Sequence, residues 1–541
     1  MAKKIDIVQN QHEFNVANSL IKKLYDMVIE KQSHNGEGIF DDNSSIIGEI
    51  TLSNPTYEEW VNKIHEVFPS LEIHSQYYIL FKDSVVESMM VSHLLSKGIG
   101  DGIGITEANA SNINVTDIPR FTDNTEIEYF DELVYFTRVT GFGDFKFSGC
   151  SNLKTINIQN ITGFGNALFN QCVNLKSVVL NPLVKQLPYA TFSGCESLES
   201  VNTEYIMTIG DSAFRRCKLL TSINSSNLTS ISQWAFESCS SLETIDITNV
   251  TTFGSGCFDH CTSLQLGNNN HLICTTIPQY MFDDCPLISS LYIPNVTGID
   301  RMAFCGCTSL TGVFQSSNVT YIKDSAFFGC KVLYYIDLSN CTSIGFNAFH
   351  SCETLTNVDL SAAVTIEHDA FRNCKGLTSI NLSSVTTLGR EAFSGCTNLS
   401  TIILNSNFTS FQNPYVFDGC GAIDIDLSNI TGSFGSSFRG CTLESLTLNP
   451  NLTTLVGLSS IKINSEVIIP ESVTLLKSNC LENATIPSIK FLSSTPPTAE
   501  SSAMHNFHIT KIKIPAGSLS AYKNADGDWV RYSNSNIYEE Y

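Results

Sequence analysis

The 541-residue sequence predicts a solenoid of about 22-residue coils, built on a parallel β-sheet with short helical or turn segments and preceded by a small α+β domain. Three observations carry that prediction. Fourteen of the 19 cysteines, from Cys150 to Cys441, recur at intervals of 21 to 24 residues. Every one has a Phe three residues before it, and most have a Leu three residues after, with Ile288 and Ile423 as substitutes. A repeat of this length cannot bury its own apolar face, so neighbouring copies must stack to form a continuous core.

Within one coil, Ala392 and Phe393 lie in the turn or helical piece, and Leu399, Ile402 and Leu404 lie in the strand. The same spacing recurs at Leu242/Ile245/Ile247 and Leu355/Val358/Leu360. Period-two alternation turns Ile380 and Leu382 inward and Asn381 outward. A second apolar pair, such as Val385 and Leu388, closes the coil on the far side. The repeat core is thus expected in triads such as Phe236–Cys239–Leu242, Phe349–Cys352–Leu355 and Phe393–Cys396–Leu399.

The stretch IGFNAFHSCETLTNVDL, from Ile344 to Leu360, resembles the BspA-type leucine-rich repeat. The likeness is plain from Phe145 to Leu448 and continues in weaker copies to about Pro515. It implies a leucine-rich-repeat solenoid from a Bacteroidota species or a phage infecting one. The scaffold is reused for many purposes, so function has to be argued from its surface.

Lys and Arg number 31 against 53 Asp and Glu, a net charge of −22, which argues against nucleic acid as a partner. Only 16% of residues are charged, while 42% are hydrophobic, which is ample core material. Two readings of the cysteines compete, a metal or redox site and a small packed side chain. There is no CxxC pair, and the off-register Cys257, Cys274, Cys341 and Cys480 show no ligand spacing with the histidines, so reduced, packed thiols are expected. No cofactor is expected.

Residues 1–110 lack the repeat and read as an α+β capping or attachment domain. Helices are expected from Glu13 to Lys31, from Thr56 to a stop at Pro69, and from Ser84 onward through Met89, Met90 and Leu94, with a strand at Tyr77 to Phe81 before the last. The GIGDGIGITEANASN junction reads as a turn, because Lys97, Ile99 and Ala108 would occupy the ligating positions of a calcium loop. Residues 111–144 read as a lead-in coil, 145–466 as the solenoid, and 467–541 as divergent repeats with a C-terminal cap. In that cap, a strand ending in Pro and a short helix with Tyr522 and Trp529 would plug the last coil against edge-to-edge association.

The residue seven after each repeat cysteine forms an outward column that is mostly Asn and Asp, which by itself reads as a hydrogen-bonded polar ladder. Tyr292 and Phe314 interrupt it on consecutive coils, with Tyr334 and Tyr335 on the next. Beside Asp337 and Asp359, these aromatics form the candidate ligand-binding patch, suited to stacking on sugar rings or anchoring a protein. Phosphate loops, nucleophile elbows and His or carboxylate clusters outside the repeat pattern are absent from the sequence, so an enzyme is not expected.

The expected function is therefore structural or binding: a phage virion component, such as a tail or head fibre, displaying the repeat surface to a host-surface protein or glycan. Residues 1–110 would dock to other virion proteins, and a homo-oligomer is left open. The first residues lack the apolar stretch of a secretory signal and no window approaches a membrane span, which favours the virion over the alternative, a bacterial cell-surface adhesin.

Overall fold

The computed structural model describes residues 79, 81–100, 102, 104–267, 271–533 and 536–541. They fall in two compact units: the part up to and including Pro119 together with Glu132–Arg138, and Arg120–Asp131 together with Val139–Tyr541. The two helices expected between Glu13 and Pro69 lie outside the described residues, as does most of the strand at Tyr77 to Phe81.

In the first unit, the helix Ser84–Ser96 buries Val86, Met90 and Leu94, spaced four apart on one face. Its N-cap is Asp83, one residue before the expected start, whose carboxylate accepts from the Val85 N–H at 2.9 Å and the Val86 N–H at 3.3 Å. A short helix, Glu107–Ala110, is capped by Thr106.

The second unit is the solenoid. Its parallel strands are short and form two columns where one long sheet was expected. The first column follows the cysteine and includes Thr155–Ile156, Ser222–Ile223 and Ser379–Leu382. The second occupies the far side of the coil and includes Ser343–Ile344, Thr365–Ile366 and Thr387–Leu388. Both columns are interrupted along the chain, and the first becomes a nine-stranded sheet only from Ser379 onward.

The segment carrying Phe and Cys is a pair of tight turns with no helix in it. The reason is conformational, because two residues per coil are left-handed. The first lies five before the cysteine, as at Trp234, Asn347 and Glu391, and the second one before it, as at Gly194, Ser351 and Gly395. A right-handed helix cannot absorb either position. Instead the turns of successive coils bond to each other: Phe327 N–H donates to the Ala348 carbonyl at 2.7 Å, and Phe349 N–H to the Ala370 carbonyl at 2.7 Å.

The phenylalanines form one stack of 15 rings from Phe121 to Phe438, with neighbouring centroids 5.1 to 5.7 Å apart. The first of these rings belongs to the lead-in region, whose Tyr129–Phe130 pairs in parallel with Thr155–Ile156. The three expected core triads are fully buried.

Every cysteine is a free thiol. The fourteen repeat thiols also make a contact that an apolar filler could not. Each donates to the carbonyl of the preceding coil's Phe at 2.9 to 3.2 Å, as Cys352 does to Phe327 and Cys396 to Phe371. Burial pushes these thiols upward, Cys150 to about 12, and at Cys441 a contact with Cys420 raises the thiol more than burial does, so they stay protonated and remain donors.

At the C-terminus two seven-residue strands, Thr485–Phe491 and His508–Ile514, pair in parallel, and Tyr538–Glu540 adds beyond them. Tyr522 and Trp529 are buried against this end. The Tyr522 hydroxyl donates to the Ser493 carbonyl and the Trp529 indole to the Pro497 carbonyl, each at 2.8 Å. Tyr522 lies in the helix Leu519–Lys523, whereas Trp529 sits in a following 3-10 turn.

A candidate binding face on the solenoid

Tyr292 and Phe314 end two paired strands, Ser290–Tyr292 and Gly312–Phe314, and face each other in register. Their rings stack at 5.2 Å. On the next coil Asp337 holds the matching position, yet Phe314 stacks at 5.6 Å on Tyr335, two residues earlier in the chain. Gly312, the strand partner of Tyr335, allows that step. A Cβ at Gly312 would come within 2.7 Å of Phe314 Cζ, so the ring occupies the space a side chain would need.

Sequence reasoning missed the fourth ring. His271 bridges to Tyr292 and stacks on it at 4.6 Å and an interplanar angle of 3°. The result is a ladder, His271–Tyr292–Phe314–Tyr335, across four coils. Tyr335 is 42% exposed, and His271 is also exposed. Tyr334 is 50% exposed but stands outside the stack.

Both faces of Tyr292 and Phe314 are covered by their neighbours, so these inner rings offer solvent their edges. A sugar ring stacks on an aromatic face, and only the outer faces of His271 and Tyr335 remain open. A stripe of ring edges with a tyrosine hydroxyl fits apolar and carbonyl groups of a protein surface better.

The two candidate acids do a different job. Asp337 accepts from its own Ser339 N–H at 3.0 Å and Asp359 from Ser361 N–H at 2.9 Å. Hydrogen bonds from the Ser361 side chain and backbone hold the Asp359 carboxyl below its usual range. Asp246, Asn157, Asn381 and Asp426 close the same two-residue turn. These side chains thus close Asx turns within their own coils, while Asn202 of the same column bonds to the coil before it, its amide donating to the Leu180 carbonyl at 3.1 Å and its oxygen accepting from the Leu180 N–H.

A family model for a BspA-type leucine-rich-repeat region of six copies matches residues 125–224, 203–311, 275–384, 364–465 and 458–525. The chain belongs to the BspA-type leucine-rich-repeat family. Among solved structures it is similar to a leucine-rich repeat protein from Bacteroides ovatus ATCC 8483, with 22% identity over 65% of this chain and 82% of that one and a TM-score of 0.39. It is also similar to a leucine rich cell surface protein from Faecalibacterium prausnitzii A2-165, with 20% identity over 71% of this chain and 85% of that one and a TM-score of 0.31. No curated protein matches the chain.

The turn ridge of this BspA-type solenoid also gathers a charged cluster that the sequence reading did not anticipate. His260 bonds to Asp259 through Nδ1 and approaches Asp284 at 3.4 Å through Nε2. Asp259 and Asp283 are buried. Burial opposes protonation of His260, but Asp259, Asp284 and Asp283 together outweigh it and hold its pKa above the ordinary histidine value. Among the described residues no group of side chains is arranged to hold a metal ion.

Burial raises the Asp283 carboxyl to about 6, against a weaker opposing hydrogen bond from Cys305. A carboxyl whose pKa rises on folding stabilises the fold below its unfolded pKa, and that contribution is lost as pH rises through about 6. Asp283→Asn is therefore expected to melt above wild type at pH 7 and to lose that advantage below about pH 4. Thermal melts across this range check it, and equal pH dependence in both proteins would refute it.

Proposed function

We propose that this protein is a non-enzymatic binding protein that engages a partner protein on a host cell surface through the His271–Tyr292–Phe314–Tyr335 ladder. The single observation that carries this reading is the four-ring stack, a continuous aromatic stripe on the face that carries the Asx turns. Aromatic stripes of this kind supply the anchors of protein interfaces. A host glycan is the second reading, limited by the covered faces of the inner rings.

The setting that fits best is a phage particle. All 19 cysteines are unpaired, which suits a chain that folds in a reducing cytoplasm and leaves by lysis. Residues 1–110 would then attach to other virion proteins. A bacterial cell-surface adhesin is the alternative, and among the described residues no helix is long and apolar enough to cross a membrane. Mass spectrometry of purified phage particles and of host cell envelopes separates the two settings. Recovery from particles is expected, and enrichment only in envelopes would overturn the virion reading.

A further inference from the structure

The ring ladder stands on the part of the solenoid that carries no charge. Asp, Glu, Lys and Arg are absent from residues 262–277, 286–299 and 308–322, which run from the repeat cysteine to the second strand in three consecutive coils. His271, Tyr292 and Phe314 belong to those stretches, and Tyr335 opens the coil that follows. Of the other repeat coils only residues 397–411 are equally free of charge, and they stand apart from these three.

Charges resume on both sides of the blank coils, at Glu243 and Asp246 before them and at Lys331 and Asp337 after them. Glu243 and Lys331 are exposed, so the ladder has a charged rim. Inside that rim the exposed surface is apolar or polar without charge. Ile273 is 38% exposed and Leu287 42%, and Gln315, next to Phe314, is exposed as well. An aromatic centre depleted of charge within a charged rim has the composition of the core of a protein interface.

We propose that the ladder's partner presents an uncharged protein surface, and that the contact spans the three blank coils as well as the rings; this rests on the ladder being the binding site proposed above. The occupant follows from charge complementarity. An acidic glycan or a phosphate-bearing polymer needs Lys or Arg to pair with, and a basic protein needs Asp or Glu. The blank coils offer neither, so a charge brought by the partner would be stripped of water with no counter-charge to meet it. A contact made without charge pairs also gains nothing from electrostatic steering, and salt has little in it to screen.

The test is adsorption of the labelled full chain to host cells. Between about 50 mM and about 500 mM NaCl the wild-type chain is expected to lose less than about two-fold in adsorption. Protease treatment of the cells is expected to abolish it. Gln315→Glu and Gln315→Lys place either sign of charge beside Phe314, and both are expected to weaken adsorption by about five-fold or more, with Gln315→Met as the neutral control. A larger fall in high salt means a charged partner, and adsorption that survives protease means a neutral glycan or lipid; either overturns the proposal. So do opposite effects of the two charges, or no effect of either. The salt and protease series on the wild-type chain decide the matter even if the variants fail to fold. Failure of the ladder reading itself is seen separately, as undiminished adsorption when Tyr292, Phe314 and Tyr335 are all replaced by Ser.

Discussion

Phe349→Ala is expected to destabilise the solenoid by about 3–5 kcal/mol, the range for removing a fully buried aromatic side chain. Phe349 is fully buried and stacks at 5.1 Å on both Phe327 and Phe371. The upper part of the range applies because the site has little freedom to collapse. Paired turns hold the coils on either side at fixed spacing, and the Phe349 N–H is itself tied to the Ala370 carbonyl. Phe349→Leu refills part of the space and is expected to recover more than half of the loss. Urea unfolding with unchanged slope checks both values. A cost below about 1 kcal/mol for the alanine variant would show that the ring stack is not the organising core.

The combined variant Tyr292→Ser, Phe314→Ser, Tyr335→Ser is expected to reduce adsorption of the purified chain to host cells by about 100-fold or more. Anchors of this kind are commonly worth ~2 kcal/mol each at an interface, and three of them cover the ladder's length. Stability should change little by comparison, because the ladder lies on the outer face of the sheet with Tyr335 42% exposed. Tyr334→Ser, on the neighbouring residue but outside the stack, serves as the control and should bind as wild type. Retained adsorption by the triple variant would remove the ladder from the function. Selective loss on replacing only His271 and Tyr335, the rings with open faces, would favour a glycan.

Much of this architecture can be read from spacing alone. The Phe, Cys and Leu ruler identifies the coil and its buried triads, because a core that repeats in space must repeat in sequence. The thiol donor is harder to see, since Cys352 meets a carbonyl 25 residues earlier and looks locally like any small apolar residue. The left-handed turn positions are concealed because non-glycine residues occupy many of them, including Trp234 and Glu391.

The site was legible only in part. Tyr292 and Phe314 fall in one column, but Tyr335 joins from another because Gly312 lets Phe314 lean across. His271 escapes the column because its coil is longer, lying between Cys261 and Cys285. Asp259, His260, Asp283 and Asp284 could have been found by aligning the two residues before each cysteine. The Asx turns of the Asn and Asp column could not be read from spacing, because a side chain that closes its own turn and one that reaches the coil before it, as Asn202 does, look alike in sequence.

The second strand column is interrupted between Thr387–Leu388 and Thr454–Leu455, and this bears on cooperativity. In a linear array each coil is stabilised by the two it touches, so unfolding spreads until it meets a weak coupling. Here the first column and the ring stack cross the junction, with Phe393 and Phe417 at 5.7 Å, while the second column does not. That junction is one seam along which the array can open in blocks, the other being the stretch from Thr244–Ile245 to Ser290–Tyr292, where both columns are interrupted; the coils beyond Thr387–Leu388, sealed by Tyr522 and Trp529, can persist after those before them have opened.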